Sequence, residues 1–253
     1  MRSSWLVAIA FAAGCAAEPS AGKIDPFVDS GKADGAGLSL ALVSDHGMDL
    51  DEPSDLAFAA GQLYAVSDAH SKIYAISRKG NIKREIDVQG DDLEALAVDP
   101  TTGEFLLADE SRAKIWRLDP SGARQQVIEL DGADDGNSGI EGITVDDNGH
   151  IFVVKEKDPA RIYELDASGT ELRRTKIEFA ADLSAIAWNP LDGRIYVLSD
   201  IDQAMFRLDA DWNVETGWRL PIETPEGLAF DGSTVFIASD QKAKLYRLEL
   251  TGE

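Results

Sequence analysis

Residues 138–166 read SGIEGITVDDNGHIFVVKEKDPARIYELD, and this stretch decides the fold. Glu141 heads a short apolar run, Glu141-Gly142-Ile143-Thr144-Val145, which gives way to the turn residues Asp146-Asp147-Asn148-Gly149. A second run, 151–154, ends in the charged pair Lys155-Glu156. Beyond a proline-containing turn comes a third, Arg161-Ile162-Tyr163-Glu164-Leu165-Asp166. Runs of this length, rich in Val, Ile, Tyr and Phe and punctuated by Asp, Asn, Gly and Pro, are strands joined by tight turns.

The chain writes the pattern five times. Its first strands align on Leu56, Leu96, Ile143, Ile186 and Leu228, a period of 40 to 47 residues, which is the spacing of propeller blades. Second strands carry Tyr64, Phe105, Phe152, Tyr196 and Phe236, and four residues after each stands an acid. Third strands carry Tyr74, Trp116, Tyr163, Phe206 and Tyr246, each followed two residues on by Ile76, Leu118, Leu165, Leu208 and Leu248. Aromatic residues at constant places in repeated strands fill the space between blade faces, and no function is assigned to them. Fourth strands are expected near 83–88, 124–130, 171–177 and 216–220, with none in the fifth copy. Residues 38–44, LSLALVS, form a strand without a repeat of its own. The expectation is an all-β chain: a five-bladed β-propeller with four antiparallel strands per blade. The strand at 38–44 completes the last blade beside 244–250 and covers an open edge.

The first residues read as an export signal. Met1-Arg2-Ser3-Ser4 supplies a positive start and 5–13 an apolar stretch of nine residues, too short to span a bilayer. It ends Ala12-Ala13-Gly14-Cys15, which resembles a bacterial lipobox, with Ala12 where that motif usually carries Leu. Cys15, the single cysteine, has no partner for a disulfide within the chain, and the expectation is that it carries the lipid. The competing reading is a soluble periplasmic protein that loses Cys15 with the signal. Residues 16–37 are rich in Ala, Gly, Ser, Asp and Pro, a composition that suits a flexible tether. The organisation is thus a signal over 1–15, a tether over 16–37 and one propeller over 38–253.

Forty-six acids against 24 bases give a net charge of −22. Such a field argues against nucleic acid and anionic membrane surfaces as partners, leaving membrane contact to the lipid anchor. It serves solubility, and it favours cations. In an antiparallel blade the start of the first strand and the end of the second lie on one face, and the first strand lines the channel. Glu94, Glu141 and Glu226 fall at first-strand starts, with Ser54 and Ser184 in the other two blades. Asp68, Asp109, Glu156, Asp200 and Asp240 fall at second-strand ends. Carboxylates gathered at one mouth raise one another's pKa unless a cation compensates. Ca2+, with six to eight oxygen ligands in flexible geometry, is the natural one. The three inner glutamates are the primary candidate ligands and the five outer acids secondary, and Ser54 and Ser184 make an off-centre ion the expectation, towards Glu141 and Glu156.

At Leu93-Glu94-Ala95-Leu96, Ile140-Glu141-Gly142-Ile143, residues 155–163 and Pro225-Glu226-Gly227-Leu228 the chain resembles the SdiA-regulated family of bacterial envelope proteins. That family is distantly similar to NHL-repeat propellers. The resemblance implies a five-bladed propeller, a calcium site and membrane association, and no defined reaction. The expected function is a monomeric, envelope-anchored, calcium-binding module, in the periplasm or at the outer membrane and cell surface. Its partner, a protein or a small molecule, would meet it at the channel mouth. The alternative is a calcium-dependent hydrolase, lactonase, esterase or phytase-like, with His46 or His70 as the base on the acidic face.

Overall fold

The computed structural model describes residues 27–29, 37–90, 92–110, 113–132 and 139–252. The export signal and Cys15 lie outside the described residues. Two strands, β1 (Phe27–Asp29) and β2 (Ser39–Gly47), precede the repeats. Blade 1 is β3 (Pro53–Ala59), β4 (Gln62–Ser67), β5 (His70–Ile76) and β6 (Ile82–Asp87). Blade 2 follows as β7 (Leu93–Val98), β8 (Phe105–Asp109), β9 (Lys114–Leu118) and β10 (Arg124–Glu129). Blade 3 is β11 (Ile140–Val145), β12 (Ile151–Lys155), β13 (Arg161–Leu165) and β14 (Glu171–Lys176). Blade 4 is β15 (Ala185–Asn189), β16 (Arg194–Ser199), β17 (Ala204–Leu208) and β18 (Val214–Arg219). Blade 5 has three strands in sequence, β19 (Pro225–Asp231), β20 (Thr234–Ser239) and β21 (Lys244–Thr251), and takes β2 as its fourth.

The five antiparallel sheets form a ring, a β-propeller. Closure is as expected: β2 runs antiparallel to β21, from Ser39 opposite Thr251 to Gly47 opposite Lys244. One finding differs from the tether reading. Phe27–Asp29, inside 16–37, pairs in parallel with Gly217–Arg219 of β18, adding a fifth strand to blade 4. The outer edge of β18 offers unpaired amides and carbonyls, and an adjacent stretch of chain can satisfy them.

The core consists of one apolar cluster between each pair of neighbouring blades. Tyr163 packs with Ala108, Ile115 and Ile128 between blades 2 and 3. Phe206 packs with Phe152 and Ile162 between blades 3 and 4, and Tyr196 meets Phe230 between blades 4 and 5. The third-strand aromatics hold one register throughout, opposite Ala65, Leu107, Val153, Val197 and Ile237 of the second strands. Some of the acidity is structural. Asp119, Asp166 and Asp209 accept hydrogen bonds within their own turns, first from the side chains of Ser121, Ser168 and Asn213 and then from backbone N–H groups, which holds these carboxyls below their usual range.

Near the axis the inner strands approach so closely that side chains are excluded. A Cβ on Gly142 would lie 2.8 Å from the Ile186 amide nitrogen, and one on Gly227 would lie 3.0 Å from the Leu56 amide nitrogen. Those contacts are to backbone, which cannot swing aside. Gly142→Ala or Gly227→Ala is therefore expected to lower unfolding free energy by about 2 kcal/mol, measured by denaturant melts; unchanged midpoints would show that the ring relaxes freely.

Candidate metal centre

The inner strands β3, β7, β11 and β19 each break register at one residue: Ser54, Glu94, Glu141 and Glu226. A β-bulge leaves its extra residue out of the ladder and re-aims its side chain. The repeat thus places a bulge at the channel end of each of these strands and, in three blades, puts a glutamate on it. The two serines supply hydroxyls instead, to the backbone and, from Ser54, to the Glu94 carboxylate. Ser184 Oγ donates to the Pro225 carbonyl of blade 5 at 2.6 Å, and Ser54 Oγ accepts the Asp68 amide at 2.9 Å.

The second-strand acids need one correction. Ser67, Asp109, Lys155 and Ser239 occupy the same ladder position, opposite Pro53, Leu93, Ile140 and Pro225. The residues that follow them, Asp68, Glu110, Glu156 and Asp240, are therefore the matching rim positions. In blade 2 the rim acid is Glu110. Asp109 is fully buried, one step inside it. The shift arises because Phe105 sits one position earlier than the other aromatics: Leu106 faces Ala97 where Phe152 faces Thr144 and Phe236 faces Ala229. Counting four residues from Phe105 lands on the wrong carboxylate.

The tightest grouping among the described residues joins Asp92, Glu94 and Glu110, whose carboxylate oxygens can lie within 4.8 Å of one another. Sequence reasoning found Glu94 and missed the other two. Asp92 lies in the turn before β7, in a column with Glu52 and Asp182 whose other members are Gly139 and Thr224; that column falls in the turns, ahead of the strands from which the acids were read. Glu110 is held by the Gly139 amide, which donates to its Oε1 at 2.8 Å, and it shares a hydrogen bond with Glu141. The grouping is centred on blade 2, one blade from the Glu141–Glu156 side expected from sequence. On that side Lys157 pairs with Glu156 and offsets its charge. Asp182, another acid that sequence reasoning missed, is buried and accepts a hydrogen bond from Ser199.

Electrostatically the mouth is under-compensated. Burial, reinforced by Asp68, Asp92 and Glu110, pushes Glu94 up to about 8. Burial, with Asp200, Glu94, Asp240 and Asp182 around it, pushes Glu226 up to about 9. Glu141 is held well above the usual range by burial and then by Glu94, Glu110, Glu156 and Glu226. Asp200 and Asp240 are also raised, first by burial. Each inner glutamate feels another from across the channel, so the mouth titrates as a unit. Carboxylates alone, several of them half-buried and repelling one another, form a donor set for a hard divalent cation. His46 lies on β2, the outermost strand of blade 5. His70 starts β5 and stands exposed, edge-on to Tyr74.

Below the inner glutamates the channel is closed. Asp55 Oδ1 accepts the Leu56 amide at 2.7 Å and its Oδ2 the Leu96 amide at 2.8 Å, and the Leu228 amide is a third donor. The carboxyl is fully buried, and that burial raises it well above its usual range although the amides oppose the shift. At the matching position the other blades carry Ala95, Gly142, Ala185 and Gly227, so one carboxyl occupies an axial layer otherwise lined by small residues.

The model of the SdiA-regulated family matches residues 43–249. No curated protein matches the chain. Among solved structures, glutaminyl cyclase from Myxococcus xanthus superposes with a TM-score of 0.65 at 11% identity, over 85% of this chain and 97% of that one. A catalytically inactive virginiamycin B lyase from Staphylococcus aureus, crystallised with quinupristin, gives 0.54 at 20% identity. It is matched over 79% of this chain, which spans 66% of the lyase, just under two thirds of its length. The WD40 propeller domain of Doa1 gives 0.54 at 16% identity, over 78% of this chain and 63% of that one. At these identities the likeness is one of fold.

Proposed function

The chain belongs to the SdiA-regulated family, and from that premise we propose that it is an envelope-anchored, calcium-binding β-propeller serving as a binding or scaffold module. The observation that carries the reading is the Asp92, Glu94 and Glu110 grouping at a mouth where burial, and then the neighbouring carboxylates, raise Glu141 and Glu226 above the usual range. Asp92, Glu94 and Glu110 would hold the ion, with Glu141 closing the set from blade 3. Bound there, Ca2+ would neutralise the mouth and fix two blades to each other. Export and lipidation at Cys15 complete the proposal and rest on the sequence alone. The neighbours that are enzymes share the fold with this chain, and their reactions are not carried over.

The test is calorimetry on EDTA-stripped protein at pH 8. Calcium at a hundredfold excess over its Kd adds about 2.7 kcal/mol, a rise of roughly 5–10 °C in melting temperature for a domain of this size. Glu94→Gln and Glu110→Gln should remove most of that rise. No shift with calcium would end the metal claim. Lactone, aryl-ester and phosphoester turnover that depends on calcium and is lost in His46→Ala or His70→Ala would replace the module reading by the hydrolase one.

A further inference from the structure

The opposite mouth of the channel is apolar. A cavity of about 450 Å³ opens on that face, lined by the ends of the five inner strands. Its floor is the ring of Leu56, Leu96, Ile143, Ile186 and Leu228, all buried, with the Asp55 layer behind them. The next residue of each inner strand is small: Ala57, Ala97, Thr144, Ala187 and Ala229. Larger side chains at these places would fill the cup, and the repeat avoids them in every blade. Phe58, Trp188 and Phe230 then stand around the wall.

Charge at this mouth is sparse and largely compensated. The lining holds three acids and no Lys, Arg or His. Asp99 is paired with Arg117 at 3.1 Å and Asp231 with Arg78, while Asp147 is exposed. Concave sites of about 300–1,000 Å³, mainly apolar with a few polar groups, are the usual form of small-molecule sites. We infer that this cup is a second binding site, for a small ring-bearing apolar molecule that carries no negative charge. The apolar ring and Asp55 separate it from the acidic mouth, so the two sites fill independently. The inference does not rest on the calcium reading.

Two fluorophores of one skeleton test it: neutral N-phenyl-1-naphthylamine and its sulfonated anion, 1-anilinonaphthalene-8-sulfonate. The folded wild-type protein should bind the neutral probe saturably, one per chain, and the anion at least tenfold more weakly. Val98→Trp should weaken the neutral probe at least tenfold while the circular dichroism spectrum and the calcium response stay as in wild type. Ala59→Phe, at the lip of the cup, serves if that variant does not fold. Calcium and EDTA should leave probe affinity unchanged. No saturable binding by wild type, tighter binding of the anion, an affinity that changes with calcium, or an affinity that a folded filling variant leaves unchanged would each overturn the proposal.

Discussion

Asp55→Ala lowers the unfolding free energy by about 4 kcal/mol, the largest single-residue effect expected in this molecule. The innermost strand of a blade has one edge with no strand beside it, and amides on that edge need an acceptor. Asp55 supplies it for Leu56 in its own blade, Leu96 in blade 2 and Leu228 in blade 5. A buried donor left without an acceptor costs about 1–3 kcal/mol. Removing the carboxyl also removes the cost of burying it, so the loss falls below the sum of three such penalties. Asp55→Asn retains one oxygen but turns an NH2 towards an amide donor, and about half the loss is expected. Urea melts measure both. An Asp55→Ala protein within 1 kcal/mol of wild type would show that water replaces the carboxyl without penalty.

The second large effect is on the pH dependence of the stripped protein. Glu94 and Glu226 titrate near 8 and 9 in the fold and Glu141 is raised as well, against 4.5 for an ordinary glutamate. Between these limits the folded state binds more protons than the unfolded state, so stability falls as pH rises. For Glu94 and Glu226 the contribution is fully present below about 4.5 and gone above about 9, and Glu141 adds to it in the same direction. Each unit is worth about 1.4 kcal/mol. Since the three sites are coupled and partly wet, the combined loss is on the order of 5 kcal/mol. At the acid end the sign reverses. Asp99, Asp119, Asp166 and Asp209 lie below their usual range, so stability also falls once pH drops through them. With EDTA, melting temperature should peak near pH 5 and decline steadily to pH 9. With calcium the decline should flatten, because the ion competes with protons for the same oxygens and gains as they leave. An EDTA curve that is level or rising from pH 5 to pH 9 would contradict the burial of these glutamates.

The ring was legible because five copies share their hydrophobic columns, and a period of 40 to 47 residues leaves little freedom in the topology. The site was less legible, since part of it lies in turns outside the strand pattern. Glu94, Glu141 and Glu226 stand in a column and were readable. Asp92 and Asp182 share a column with Glu52, but it lies in the turns ahead of the strands, where the other two blades carry Gly139 and Thr224, and Asp55 stands where the others carry only Ala or Gly. Glu110 was within reach. Aligning on the pairs Ser67-Asp68, Lys155-Glu156, Ser199-Asp200 and Ser239-Asp240, rather than on the aromatics, brings Asp109-Glu110 into line at once. That alignment works because the first member of each pair sits where the ladder ends. There Ser67 and Ser239 donate to the carbonyls of Asp51 and Glu223, fastening the turn that leads into the inner strand.

The closure of blade 5 has a mechanical direction. Ser39 and Thr251 face each other at one end of the β2–β21 ladder, Gly47 and Lys244 at the other. Tension that draws residues 38 and 252 apart opens this ladder like a zip, one pair at a time and at low force. Tension along β2, against a load held on the ring, puts the paired residues under shear together. The same hydrogen bonds are weak in one geometry and strong in the other. A propeller held by β2 and loaded through its faces pulls on its seam in the strong direction.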